Sequence, residues 1–109
     1  MTVLHKTLEE RWARMSLAEQ MGNIGSEVSR AAFFLKKDDR EKCLNSAARG
    51  LELFDFSIKA AQQNKRRGAL KELTRSRDIF CEIFFEMEHA EEIQSFQAYF
   101  DQFALAARK

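Results

Sequence analysis

The hydrophobic pattern is clearest over residues 16–35, SLAEQMGNIGSEVSRAAFFL, where two seams run side by side along one predicted helix. Leu17, Met21, Ile24, Val28, Ala31 and Leu35 alternate by four and three, the spacing of a helix face turned to a core. Ala18, Gly22, Gly25, Ser29 and Ala32 repeat that spacing one residue later, about 100° further round. The first seam is bulky and the second almost bare. A Gly inside a helix costs about 1 kcal/mol relative to Ala, so two of them point to a second backbone approaching closely, from this chain or from a partner chain. Ser16 followed by Glu19 has capping-box spacing ahead of this helix, and Lys36 and Lys37 suit its last turn.

The same periodicity continues on both sides. Thr7 and Glu10 repeat the capping spacing, which predicts a short first helix near residues 8–14, with Leu4, Leu8 and Trp12 on one face. Asp38 followed by Glu41 predicts the start of a second long helix whose seam is Leu44, Ala47, Leu51, Phe54, Ile58 and Ala61. After a polar turn at residues 62–65, a third begins near Arg66 and carries Ala69, Leu73, Ser76, Phe80, Ile83 and Met87. The last carries Ile93, Phe96, Phe100, Phe103 and Ala107. A turn within residues 86–92 is predicted from length, because one helix over 66–107 is far longer than globular helices run. Short connections make consecutive helices antiparallel neighbours. The expected fold is all-α, an up-and-down four-helix bundle with a short N-terminal helix or arm, in one domain over residues 1–109.

Composition agrees. The 109 residues include no Pro and four Gly, with 45% hydrophobic and 32% charged residues, a balance that fits helices and fits a β fold poorly. Apolar runs such as AAFFL at 31–35 are far too short to span a membrane, and Lys6, Glu9, Glu10, Arg11 and Arg14 break any signal-peptide pattern. Cys43 and Cys81 have no metal or redox spacing and read as buried reduced thiols in a cytoplasmic protein. A net charge of +1 argues against a dedicated nucleic-acid coat while leaving local patches open.

Candidate chemistry is sparse. Glu86 and His89 form a Glu-x-x-His pair, half of a dinuclear metal site, but the only other histidine, His5, has no Glu three residues before it. Neither Cys has a neighbouring His to activate it, and Gly22 and Gly25 sit inside a helix, not in a phosphate-cradling loop. No enzyme activity, catalytic residue, metal or other cofactor is therefore expected. At the edges of the seams, Arg77 is expected to pair with Glu27 or Asp55 and so help fix helix register.

Charge points to partners instead. On the third long helix Lys65, Arg66, Arg67, Lys71, Arg75 and Arg77 crowd the start, and Asp78, Glu82, Glu86 and Glu88 crowd the end, both against the helix macrodipole. An antiparallel copy of the same helix would bring the basic start to the acidic end under two-fold symmetry. Alternatively Arg66, Arg67, Lys71 and Arg75 meet phosphates; lacking interleaved aromatics, they would bind RNA or another nucleic acid through backbone charge and shape. A solvated face of no consequence is the third reading. Phe56 and Phe85 lie about 200° from their seam neighbours Phe54 and Ile83 and predict a second hydrophobic face. Gly22, Gly25, Ser29, Phe56 and Phe85 are thus the expected interface of a homo-oligomer. Assembly through Gly and Phe seams is expected to survive raised salt, and phosphate binding to weaken with it.

The segments SLAEQMGNIGSEV, GLELFDFS, LKELTRSRDIFCE and FALAARK resemble a family of small prokaryotic four-helix-bundle proteins, from about Trp12 to the C-terminus. The family's Gly- and Asn-containing loop before the last helix is replaced here by EMEHAEEIQ. The resemblance implies a bundle and carries no activity. In architecture it is similar to the bundles encoded in ribosomal intervening sequences and to reverse-transcriptase accessory bundles, which implies oligomers and an association with nucleic acid.

Overall fold

The computed structural model describes residues 2–107, with side chains from residue 8 onward. Its helices are α1 (Thr2–Arg14), α2 (Leu17–Lys36), α3 (Arg40–Gln63), α4 (Arg67–Phe84) and α5 (Ile93–Ala107), the last preceded by one 3-10 turn at Ala90–Glu92. There is no strand among the described residues. The fold is all-α, as the periodicity predicts.

Local chemistry explains most boundaries. Ser16 Oγ accepts from the Glu19 N–H at 3.1 Å and Glu19 Oε1 accepts from the Ser16 N–H at 2.9 Å, the predicted capping box of α2. The cap of α3 is Asp39, whose Oδ1 accepts from the Lys42 N–H at 3.1 Å; Asp38, expected there, instead ends the preceding turn in the left-handed region at φ 59°. The Asp38 and Asp39 N–H groups return to the Leu35 and Phe34 carbonyls, and those of Lys65 and Arg66 to Gln62 and Ala61. Both are Schellman turns, with Asp38 and Lys65 in the place usually held by Gly. α1 begins at Thr2, so Thr7 lies within the helix and not at its cap. The side chains of Leu4, His5 and Thr7 fall outside the described residues.

α2 is the central element, packed along α3 on one side and α5 on the other; α4 lies on α3, and α1 crosses α3. Met21, Ile24, Val28 and Ala31 from α2 meet Phe54, Leu73, Phe80, Ile83, Phe96 and Phe100 in one core. The Phe54 ring touches Phe80 and Phe100 edge-on, with centroids 5.3 and 6.1 Å apart, and so ties α3 to both α4 and α5. Met87 departs from its predicted seam. The chain leaves α4 at Phe85, Met87 takes φ 59°, and its side chain is exposed.

The bare seam of α2 is covered within the chain. A Cβ on Gly25 would stand 2.7 Å from the Cβ of Phe100, and one on Gly22 would stand 3.4 Å from the Cα of Ala104. The closely approaching backbone is α5, which corrects the expectation that Gly22 and Gly25 await a partner chain. Phe56 is corrected too: it is only 8% exposed, beside the place where α1 crosses α3. There Trp12 Nε1 donates to Ser57 Oγ at 2.8 Å, Lys59 Nζ reaches Glu9 Oε1 at 3.2 Å, and the Gln20 amide donates to the Trp12 and Met15 carbonyls. No described helix is long and apolar enough to cross a membrane.

Candidate functional site

The most distinctive surface is the outer face of α4. Burying Leu73, Ser76, Phe80 and Ile83 against α3 and the core turns the opposite side to solvent. At 100° per residue, Arg67, Lys71, Arg75, Asp78 and Glu82 fall there within an arc of about 80°. Glu86, just past the end of the helix, continues the acidic half. None of these six has an ion pair among the described residues. The charged residues of α4 that lie off this arc are engaged: Arg77 Nε bonds Asp55 Oδ1 of α3 at 2.9 Å, and Glu72 accepts a hydrogen bond from Tyr99. Arg77 therefore takes one of its two predicted partners, but at the surface and not internally. Glu27, the other, is buried and held by Arg30 and by Arg49 Nε at 3.3 Å.

The start of α4 is poorly provided for as a helix. Arg66 occupies the N-cap without a side-chain cap bond, and the first turn contains no acid. Arg66, Arg67, Lys71 and Arg75 are all exposed, so the positive end of the helix dipole carries an uncompensated basic cluster.

α4 and α5 stand apart, leaving an open cleft of about 490 Å³ lined by Glu72, Arg75, Ser76, Ile79, Phe96 and Tyr99. The Tyr99 hydroxyl donates to the Glu72 carboxylate and accepts from Ser76 Oγ at 3.4 Å. Burial first, and then the neighbouring Glu72, push its pKa up to about 12. Neither Glu72 nor Tyr99 is marked by sequence reasoning. Its one available signal is the only Tyr in the chain, set amid the Phe seam of α5, where a phenol needs a polar partner.

The remaining candidates are scattered. Ser29 is exposed and borders a separate groove with Phe33 and Lys36 of α2 and Gln94 and Gln97 of α5. Phe85 is 37% exposed, its ring centroid 6.3 Å from that of the core residue Phe80. Gly22, Gly25, Ser29, Phe56 and Phe85 form no single face. His89 sits in the loop at φ 58°, its Nδ1 3.7 Å from Glu91 Oε1. No group of three or more His, Cys, Asp or Glu among the described residues is placed to hold a metal ion. Cys43 is buried and Cys81 half-buried, and burial raises the pKa of both thiols. In comparisons with known proteins, no family matches the sequence, and no curated protein or solved structure matches it either.

Proposed function

We propose that this chain is a non-enzymatic helical-bundle protein that assembles with itself and serves as a binding or scaffolding module. The observation that carries this reading is the outer face of α4, basic in its first half and acidic in its second, with neither half ion-paired among the described residues. The charges at the two ends, Arg67 in the first turn and Glu82 and Glu86 at the last, oppose the helix dipole at a cost of a few tenths of a kcal/mol each, and an oppositely directed copy offsets both ends at once.

With Gly22, Gly25 and Phe56 used inside the chain, the assembly contact is electrostatic, and it weakens with salt instead of surviving it. Light scattering coupled to size exclusion, with ultraviolet detection of nucleic acid, tests this. The expected result is a nucleic-acid-free oligomer at low salt that dissociates at high salt. A nucleic-acid-free monomer at both salts overturns the reading.

A second reading rests on the four exposed cations Arg66, Arg67, Lys71 and Arg75, none of them ion-paired among the described residues, which present a basic patch to phosphates. It predicts a species that carries nucleic-acid absorbance at low salt and loses it at high salt. Four phosphate contacts make affinity fall as roughly the third to fourth power of salt concentration.

A further inference from the structure

We infer that α4 packs antiparallel against α4 of a second copy of this chain, on a two-fold axis level with the midpoint between Ser76 and Arg77. This rests on the self-assembly proposed above and specifies its contact.

Under a two-fold axis perpendicular to paired antiparallel helices, a residue a given distance before the axis meets the residue the same distance beyond it in the copy. About the Ser76–Arg77 midpoint, Lys71 is level with Glu82 of the copy, Arg75 with Asp78, and Arg67 with Glu86. Every basic residue of the outer arc is level with an acidic one, and like residues are offset along the axis, Arg75 from Arg75 and Asp78 from Asp78 by about 4.5 Å. At 100° per residue, Lys71 and Glu82 lie within about 20° of each other near the centre of the arc, so theirs is the most direct pair. The other two pairs are wider, Arg75 and Asp78 about 60° apart round the helix and Arg67 and Glu86 about 100°, with Glu86 just past its end, so they add long-range attraction more than direct contact.

Neighbouring registers are worse. Sliding the helices by about one turn in one direction brings the two Arg75 side chains together; sliding them the other way brings the two Asp78 side chains together. The contact also has an apolar edge. Phe85, exposed at the end of the strip, comes level with Arg67 and Gly68 of the copy, and beyond the adjoining helix backbone no described residue lies within 4 Å of a Cβ placed on Gly68. Both engaged charges of α4, Glu72 and Arg77, lie off the arc, so the pairing disturbs no contact inside the chain. Exposed ion pairs are individually weak, so the dimer is transient and salt-sensitive.

The test is sedimentation velocity on the full chain at low salt, across a concentration series, for the wild type, Lys71→Glu, Glu82→Lys and an equimolar mixture of the two variants. Both substitutions lie on the outer face, and circular dichroism checks that helix content is equal. Symmetry makes each reversal act twice, so the dissociation constant of either variant alone rises by about tenfold or more. In the mixture the introduced glutamate of one variant meets the introduced lysine of the other, and the Lys71 and Glu82 that each variant retains still meet. The mixed dimer therefore returns to within about twofold of wild-type affinity. Wild-type dimers that neither reversal weakens overturn the register and leave self-assembly standing. So does loss in both variants without recovery on mixing. A wild type that stays monomeric overturns register and self-assembly together. A wild type that associates only with bound nucleic acid overturns both in favour of phosphate binding.

Discussion

Gly22 and Gly25 occupy the same seam of α2 and respond oppositely to one added methyl group. At Gly25 the new Cβ meets the Cβ of Phe100, which no rotamer change can move aside, so Gly25→Ala is expected to lose about 1–2 kcal/mol despite its better helix propensity. At Gly22 the nearest atom lies at contact distance, and Gly22→Ala is expected to gain up to about 1 kcal/mol. Urea midpoints at constant slope check both signs. Tyr99 supplies a pH prediction. Its pKa rises from 10.0 unfolded to about 12 folded, so between those values the unfolded chain has lost a proton that the native protein keeps. Stability from this group is fully present below pH 10 and falls as pH rises towards 12, as a partly buried phenolate forms out of water and facing the Glu72 carboxylate. Tyr99→Phe should flatten that part of the curve. With one Tyr in the chain, tyrosinate absorbance reads the native pKa directly. At this scale the sequence marked Asp55 as a partner for Arg77 but not Arg49 as a partner for Glu27. Which cation reaches a buried carboxylate depends on how α2 and α3 are aligned.

Among elements, α2 is the most legible and α4 the least settled. The seams and the Ser16–Glu19 box placed α2 nearly to the residue, because its caps and its periodicity are both local. The turns were harder to place, since no Gly marks them: Asp38, Lys65, Met87 and His89 take positive φ instead. α4 begins on an uncapped Arg66 in a basic first turn. Arg66→Asp supplies a capping carboxylate and removes a cation from the positive end of the dipole, so thermal unfolding should show a gain of about 1 kcal/mol. Arg66 lies off the charged arc, so the same variant should leave self-association unchanged. Under the phosphate reading it should weaken nucleic-acid binding instead, which makes it a second discriminator at little structural risk.

For the molecule as a whole, α1 is the element whose position periodicity could not supply. It is held across α3 by the Trp12–Ser57 hydrogen bond and the Lys59–Glu9 pair, and tied to α2 by the Gln20 amide. Ser57→Ala leaves the buried indole N–H without its partner and is expected to cost about 1–3 kcal/mol, read from unfolding followed by the fluorescence of the single Trp. That crossing also explains Phe56, which points away from its own seam yet is buried beside the arm.

By itself the sequence determined what repeats along one helix: the all-α class, four long seams, the cap of α2, and the reversed charges of α4. These follow from local geometry, in which spacing sets the face and the dipole sets the favoured sign of charge. Only the tertiary structure decided which surface covers which. A bare Gly seam asks for a close backbone but does not say whose, and α5 answers it at Phe100 and Ala104. The outer arc of α4 is left over by that same packing, because α4 turns its apolar face to α3 and the core.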